Sequence, residues 1–150
     1  MAYKYFASGY LVKDGKVLLA HHNKFDKWVP PGGHMEENET PEATVKREFL
    51  EETSLDIQII PTVSPAFSGD DNATPIPVPF HMDLEREGFD VPHIGFFYYV
   101  AQDDPAAQPK RQESEAYDIG WFGLEDLPTL KTFDQVRVLA AHAIKHYPLQ

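Results

Sequence analysis

Residues 3–12, YKYFASGYLV, run through aromatic and β-branched types and read as a strand. Asp14-Gly15 is a hairpin signal, so KVLLAHH at 16–22 reads as the returning strand. Residues 23–27 make a polar loop whose Lys24 and Lys27 could steer phosphates or simply solvate the loop. Trp28 leads into Pro30, Pro31, Gly32 and Gly33, a rigid elbow that cannot continue a strand ladder in the usual way. His34 fits a strand residue better than a ligand. Asn38 suits a left-handed turn. From Thr40 the pattern turns helical: Thr40 suits the N-cap, Pro41 the first helical position and Glu42 the positive end, with Val45 and Phe49 as the apolar stripe.

Beyond that helix, LDIQIIPTV at 55–63 alternates as a strand, and residues 64–75 form a loop by composition. IPVPFHMDL at 76–84 can be a short edge strand, since its prolines exclude a central position. REGFDVP turns the chain, HIGFFYYVA at 93–101 is the clearest later strand, and QDDPAAQPKRQESEA is a polar loop. Glu125 to Leu127 opens a short helical turn. Phe133, Val136, Ala140, Ala143, Ile144 and Tyr147 recur at helical spacing, so residues 132–147 read as a core-facing helix. The order β-β-helix-β-β-β-helix describes a mixed α/β domain, with no internal repeat or linker.

Composition narrows the class. At 150 residues and 17.0 kDa, 42% hydrophobic and 13% aromatic, the chain suits one globular domain over residues 1–150. No run reaches transmembrane length, and no basic segment followed by an apolar block marks a signal peptide. With no cysteine there is neither a disulfide framework nor a thiol nucleophile, which fits a cytoplasmic protein. A net charge of −11 repels polyphosphates and nucleic acid backbones. A phosphate-bearing substrate would therefore need divalent cations to carry much of its binding.

Residues 33–55, GHMEENETPEATVKREFLEETSL, place Gly33, Glu39, Arg47, Glu48, Phe49, Glu51, Glu52 and Leu55 in the pattern G-x5-E-x7-R-E-φ-x-E-E-x-S-φ, φ being apolar. At about 100° per residue, Glu48, Glu51 and Glu52 share roughly 100° of helical arc. Like charges so placed repel by a few tenths of a kcal/mol per exposed pair. A cation would relieve that, and hard oxygen ligands suit Mg²⁺ or Mn²⁺ rather than zinc. A solvated acidic face is the alternative. The glycine pair just ahead favours a ligand, because it lets backbone approach one closely.

This stretch resembles the Nudix box of the Nudix hydrolase family, G-x5-E-x7-R-E-U-x-E-E-x-G-U with U a bulky aliphatic residue. Every charged position matches. Ser54 stands where the family has Gly, which questions the usual glycine-type helix ending, and aromatic Phe49 fills an aliphatic position. WVPPGGH before the box and WFGLEDL at 121–127 are also family-like, and YDIGWFGL resembles the family's late strand. The resemblance thus covers most of the chain and implies the Nudix α/β/α sandwich, a mixed sheet with the box helix packed against it.

It further implies hydrolysis of a nucleoside diphosphate linked to another group X, with Mg²⁺ or Mn²⁺ as cofactor. Glu48 and Glu52 would be the main metal ligands, Glu51 a further one, and the Gly33 carbonyl could complete the shell. Arg47 would orient Glu51 through an i, i+4 salt bridge, and Glu39 would support the site structurally. For the base that activates water, Glu48 and Glu51 compete with Glu113 or Glu115 of the polar loop, Glu115 being preferred between those two. The proline that marks ADP-ribose subclasses and the tyrosine of dinucleoside polyphosphate types are replaced here by Asp70, Asn72 and Ala73. The arginine-bearing approach of the coenzyme A type is missing from VLLAHHNKFDKWVPP. By elimination the expected substrate is a nucleoside triphosphate or modified nucleotide. Phe25, Trp28, Phe80, Phe97 and Tyr99 could stack on its base or pack in the core.

The expected partner is a small-molecule nucleotide, with no nucleic acid and no membrane. Oligomeric state is open, a homodimer being one option. The alternative from another class is a non-catalytic nucleotide-binding or regulatory Nudix-like domain, although such a domain could relax its glutamates and all are intact. A plain acidic interaction protein leaves the glycine elbow unexplained. Prenyl diphosphate isomerisation, as the family performs it, would want a cysteine.

Overall fold

A computed structural model describes residues 2–112 and 116–149. Strands β1 (Lys4–Lys13) and β2 (Lys16–His22) form the expected hairpin. Asp14 and Gly15 both take left-handed backbone, φ 53° and 75°, as a tight hairpin turn of matching twist requires. Strands β3 (Lys27–Val29), β4 (Gly32–His34), β5 (Ile57–Ile59), β6 (His81–Glu85), β7 (His93–Gln102) and β8 (Ala116–Gly123) complete a mixed sheet. Its centre is the parallel pair of β1 and β7, in register from Lys4 opposite His93 to Leu11 opposite Val100. The helices are α1 (Pro41–Thr53) and α2 (Asp134–His146).

Strand alternation sorts the core into two layers. Ala7, Leu11, Leu18, Tyr98 and Val100 pack against Val45 and Phe49 of α1. Tyr10, Val12, Val17, Leu19, Phe97 and Tyr99 pack against Val136, Leu139, Ala140 and Ala143 of α2. Helix, sheet and helix form the expected α/β/α sandwich. Each large apolar side chain so buried contributes on the order of 1.5–3 kcal/mol, enough to fix which face of α1 turns inward. Among the described residues, no helix is long and apolar enough to cross a membrane.

Several boundaries differ from the sequence reading. The strand expected over 55–63 covers only Ile57–Ile59; Ile60 still donates to Tyr99 O at 2.8 Å, and Pro61, lacking an N–H, ends the ladder. The expected edge strand starts at His81, after Pro77 and Pro79, and pairs with β7. The elbow does rejoin the sheet: Gly32–His34 pairs antiparallel with β1, Ser8 opposite Gly32. The helical turn lies at Leu127–Thr129, and α2 begins after Phe133.

Candidate active site

Helix α1 starts as its residues dictate, with the Thr40 hydroxyl accepting from Ala43 N–H at 3.2 Å and Pro41 at its first position. Asn38 ahead of it is left-handed, φ 68°. The helix ends on Ser54 in left-handed backbone, φ 63°, its N–H on Leu50 O at 3.0 Å. Serine thus adopts the ending that glycine favours, anchored by its hydroxyl to Lys110 O at 3.0 Å and by Gln112 Nε2 at 2.9 Å.

The helical period then sorts the glutamates. At about 100° per residue, Glu52 falls about 20° from buried Val45, Glu48 about 60° and Glu51 about 120°. Exposure follows that order: Glu52 is 2% exposed and Glu48 9%, while the Glu51 side chain is 42% exposed. Glu48 and Glu52 hydrogen-bond to one another, and Gly32 N–H donates to Glu52 Oε2 at 2.9 Å. A β-carbon on Gly33 would lie 2.5 Å from Glu48 Oε1, so any larger residue would push the carboxylate out of its present position. Burial raises the Glu48 pKa, although hydrogen bonds from Glu52 and Arg47 oppose the shift.

Arg47 ties the cluster together. Its Nε and Nη2 grip Glu39 at 2.7 and 3.0 Å, its Nη1 meets Glu48 Oε1 at 2.7 Å, and its Nη2 also donates to His34 O at 3.0 Å. The contact expected from spacing, with Glu51, is present but longer, at 3.3 Å. Glu39 also accepts from Thr44 Oγ1 at 2.8 Å and Glu36 N–H at 2.9 Å. Held chiefly by the Arg47 hydrogen bond, its pKa falls to about 2.

Gly33, His34, Arg47, Glu48 and Glu52 line a polar cleft of about 300 Å³. Glu51 is not part of its wall. The cleft shares His22, Gly32, Gly33 and His34 with an apolar cavity of about 230 Å³. At the junction, His93 Nδ1 stands 2.8 Å from Val91 O, a carbonyl that only accepts. His93 Nδ1 therefore donates, and its Nε2 accepts from His34 Nε2 at 2.7 Å. Of the aromatics singled out from sequence, Phe25 and Phe97 line the cavity. Trp28, Phe80 and Tyr99 pack with the core, Phe80 stacking on Tyr99 at 4.2 Å. Sequence reasoning missed Phe6, Phe89, Phe133, His93, Glu85 and Gln135, which also line the cavity; no motif marks them. Glu113 and Glu115 lie outside the described residues.

Two buried carboxylates facing glycine backbone are a hard-oxygen donor set. Among the described residues, no three His, Asp or Glu side chains are placed to hold an ion by themselves. Mg²⁺ is commonly held by one or two protein carboxylates, with water and phosphate oxygens filling the remainder. Glu48, Glu52 and the Gly33 main chain fit this requirement.

A family model, the NUDIX domain, matches residues 6–142. A hydrolase of the NUDIX family from Clostridium perfringens is 26% identical, with 97% of this chain and 98% of that one covered and a TM-score of 0.80. A MutT NUDIX hydrolase from Burkholderia pseudomallei is 19% identical over 97% of this chain and 98% of that one, with a TM-score of 0.67. An ADP-ribose pyrophosphatase from Streptococcus suis is 18% identical over 95% and 92%, with a TM-score of 0.61. No curated protein matches the chain significantly.

Proposed function

This chain belongs to the Nudix hydrolase family, and from that premise we propose that it cleaves the pyrophosphate bond of a nucleoside diphosphate-X compound with Mg²⁺ or Mn²⁺, the substrate being a nucleoside triphosphate or modified nucleotide. The observation that carries this reading is the adjacency of two cavities. A polar cleft walled by Glu48, Glu52 and Arg47 opens past Gly33 and His34 into an aromatic cavity, so phosphates and base each find suitable surroundings.

Glu48, Glu52 and the Gly33 carbonyl would hold the cation. Bound there, it supplies neutralisation of the phosphate oxygens and acidification of the attacking water. The chain's own part is positioning. Arg47 fixes the Glu48 and Glu51 rotamers while Glu39 holds Arg47 in two places. Glu51 keeps an exposed carboxylate within a turn of the cleft and could take the proton from water as the water oxygen bonds to phosphorus and the bridging P–O bond breaks. Glu48 and, by its place ahead of Trp121, Glu115 are the other residues assigned to that step. In this reading residues 1–150 act as one cytoplasmic domain on a small molecule, with no nucleic acid or membrane partner.

The test is a Mg²⁺-dependent phosphate-release screen over nucleotides, nucleotide sugars and dinucleotides, with products identified by mass. Turnover of at least one nucleotide, abolished by EDTA, is expected. Turnover of none, or full turnover in excess EDTA, contradicts the reading.

A further inference from the structure

The apolar cavity has a polar floor that the hydrolytic chemistry does not use. Gln135, in the first turn of α2, donates from Nε2 to Asp83 Oδ2 at 2.8 Å and to Glu85 Oε2 at 2.9 Å, both on β6. That uses both amide hydrogens and fixes the orientation of the amide. Its Oε1 accepts no bond from any described residue, and Gln135 and Glu85 both line the cavity. Glu85 and Asp83 hydrogen-bond to each other, and burial together with Asp83 pushes the Glu85 pKa up to about 8. Glu85 thus keeps its proton near neutral pH and spends it on the hydrogen bond to Asp83. His81 faces Asp83 Oδ2 at 3.1 Å, while Asp83 Oδ1 is buried without a partner. Toward the cavity, then, the floor offers acceptors and no donor.

Above it stand half-buried rings. Phe25 meets Phe89 and Phe133 edge to face at 5.6 and 5.5 Å, and Phe89 stacks on His93 at 3.7 Å. Aromatic walls of this kind suit a flat heterocycle. The floor decides which one. An adenine-type edge pairs one donor with one acceptor and would face its ring nitrogen against another acceptor. A guanine-type edge carries a ring N–H beside an exocyclic amine, two adjacent donors. Leaving a buried acceptor unpaired is costly, so a site built this way discriminates strongly by edge.

We infer that the cavity recognises a guanine-type purine, its two-donor edge set against Glu85 and Gln135 and its ring among Phe25, Phe89 and Phe133. The inference rests on the hydrolase reading above and narrows its substrate class.

The test uses the full chain and nucleosides, which carry no phosphate and need no cation. Calorimetric titration with guanosine, inosine and adenosine is expected to show guanosine at least tenfold tighter than adenosine, with inosine, which lacks the amine, between them. Glu85→Gln puts a donor on the floor and should abolish the preference; Gln135→Leu, which removes the other acceptor, repeats the test should the first variant fail to fold, melting temperature being the check. Equal binding of the three nucleosides, binding of none, or an undiminished preference in a folded variant overturns the inference. Nucleotide turnover without base preference refutes this inference alone. Guanosine-selective binding with no turnover of any nucleotide refutes the hydrolytic reading alone.

Discussion

Glu39 and Glu85 are both partly buried carboxylates beside the adjoining cavities, and their surroundings push them in opposite directions. Glu39 faces the Arg47 guanidinium, Thr44 and a backbone N–H, and its pKa falls to about 2. Glu85 is held away from water beside Asp83, and burial first and Asp83 second raise its pKa to about 8. Arg47 offsets only part of the negative charge of the first cluster, and Glu48 and Glu52 line the cleft. The second cluster has no arginine; it is held by the Glu85–Asp83 hydrogen bond, by Gln135 and by His81 beside Asp83. A carboxylate cluster held by arginine suits a permanent cation-binding task, whereas one held by a proton suits hydrogen bonding to a neutral ring.

The sharpest way to break this comparison is to neutralise the first cluster at two depths. Glu52→Gln removes a buried carboxyl ligand from the cleft and should lose transition-state stabilisation on the order of several kcal/mol, read from kcat/KM. Glu39→Gln weakens only the support of Arg47 and should lose clearly less; equal losses in two folded variants would refute the difference in role.

Stability against pH sharpens the same contrast. Glu85 has a folded pKa raised from 4.5 to about 8, so its contribution is full below 4.5 and is lost as pH rises through about 8. The melting temperature of Glu85→Gln relative to the parent should therefore climb across that window. Glu39 is lowered from 4.5 to about 2, so its contribution is present above 4.5 and is lost as pH falls through about 2. Glu39→Gln should be less stable than the parent near neutrality and converge with it in acid. Parallel pH curves for parent and variants would sink both statements.

The smallest effect concerns the end of α1. Ser54→Gly relieves a left-handed β-carbon but loses two hydrogen bonds, and should stay within about 1 kcal/mol of the parent. Ser54→Ala keeps the strain, loses the bonds and should fall below the glycine variant by about 1 kcal/mol in denaturant unfolding.

The first cluster was legible in the sequence because it is local. Glu48, Glu51 and Glu52 lie within two helical turns, and Thr40 and Asn38 announce the helix start through their own side-chain chemistry. The central strands were legible for a similar reason: alternation in β1 and β7, and Asp14-Gly15 between β1 and β2. Glu51 and Glu52 fall in one arc, and the sequence ranked Glu52 ahead of Glu51 only through the family resemblance; the degree of burial that divides them follows from the direction of the Val45 stripe. The second cluster was not legible at all. Glu85 and Gln135 are 50 residues apart, and nothing in either neighbourhood announces the other. Strands β3 and β4 escaped for a related reason: their three residues are strand only because β2 and β1 offer them a ladder.

Mn²⁺ binding measured by electron paramagnetic resonance tests the division between the clusters most directly, because it reads cation binding without turnover. The parent and Glu85→Gln are expected to bind Mn²⁺ with closely similar affinity, and Glu52→Gln at least tenfold more weakly. Undiminished binding in folded Glu52→Gln, or its loss in folded Glu85→Gln, would contradict the assignment of the cation to the Arg47-held cluster.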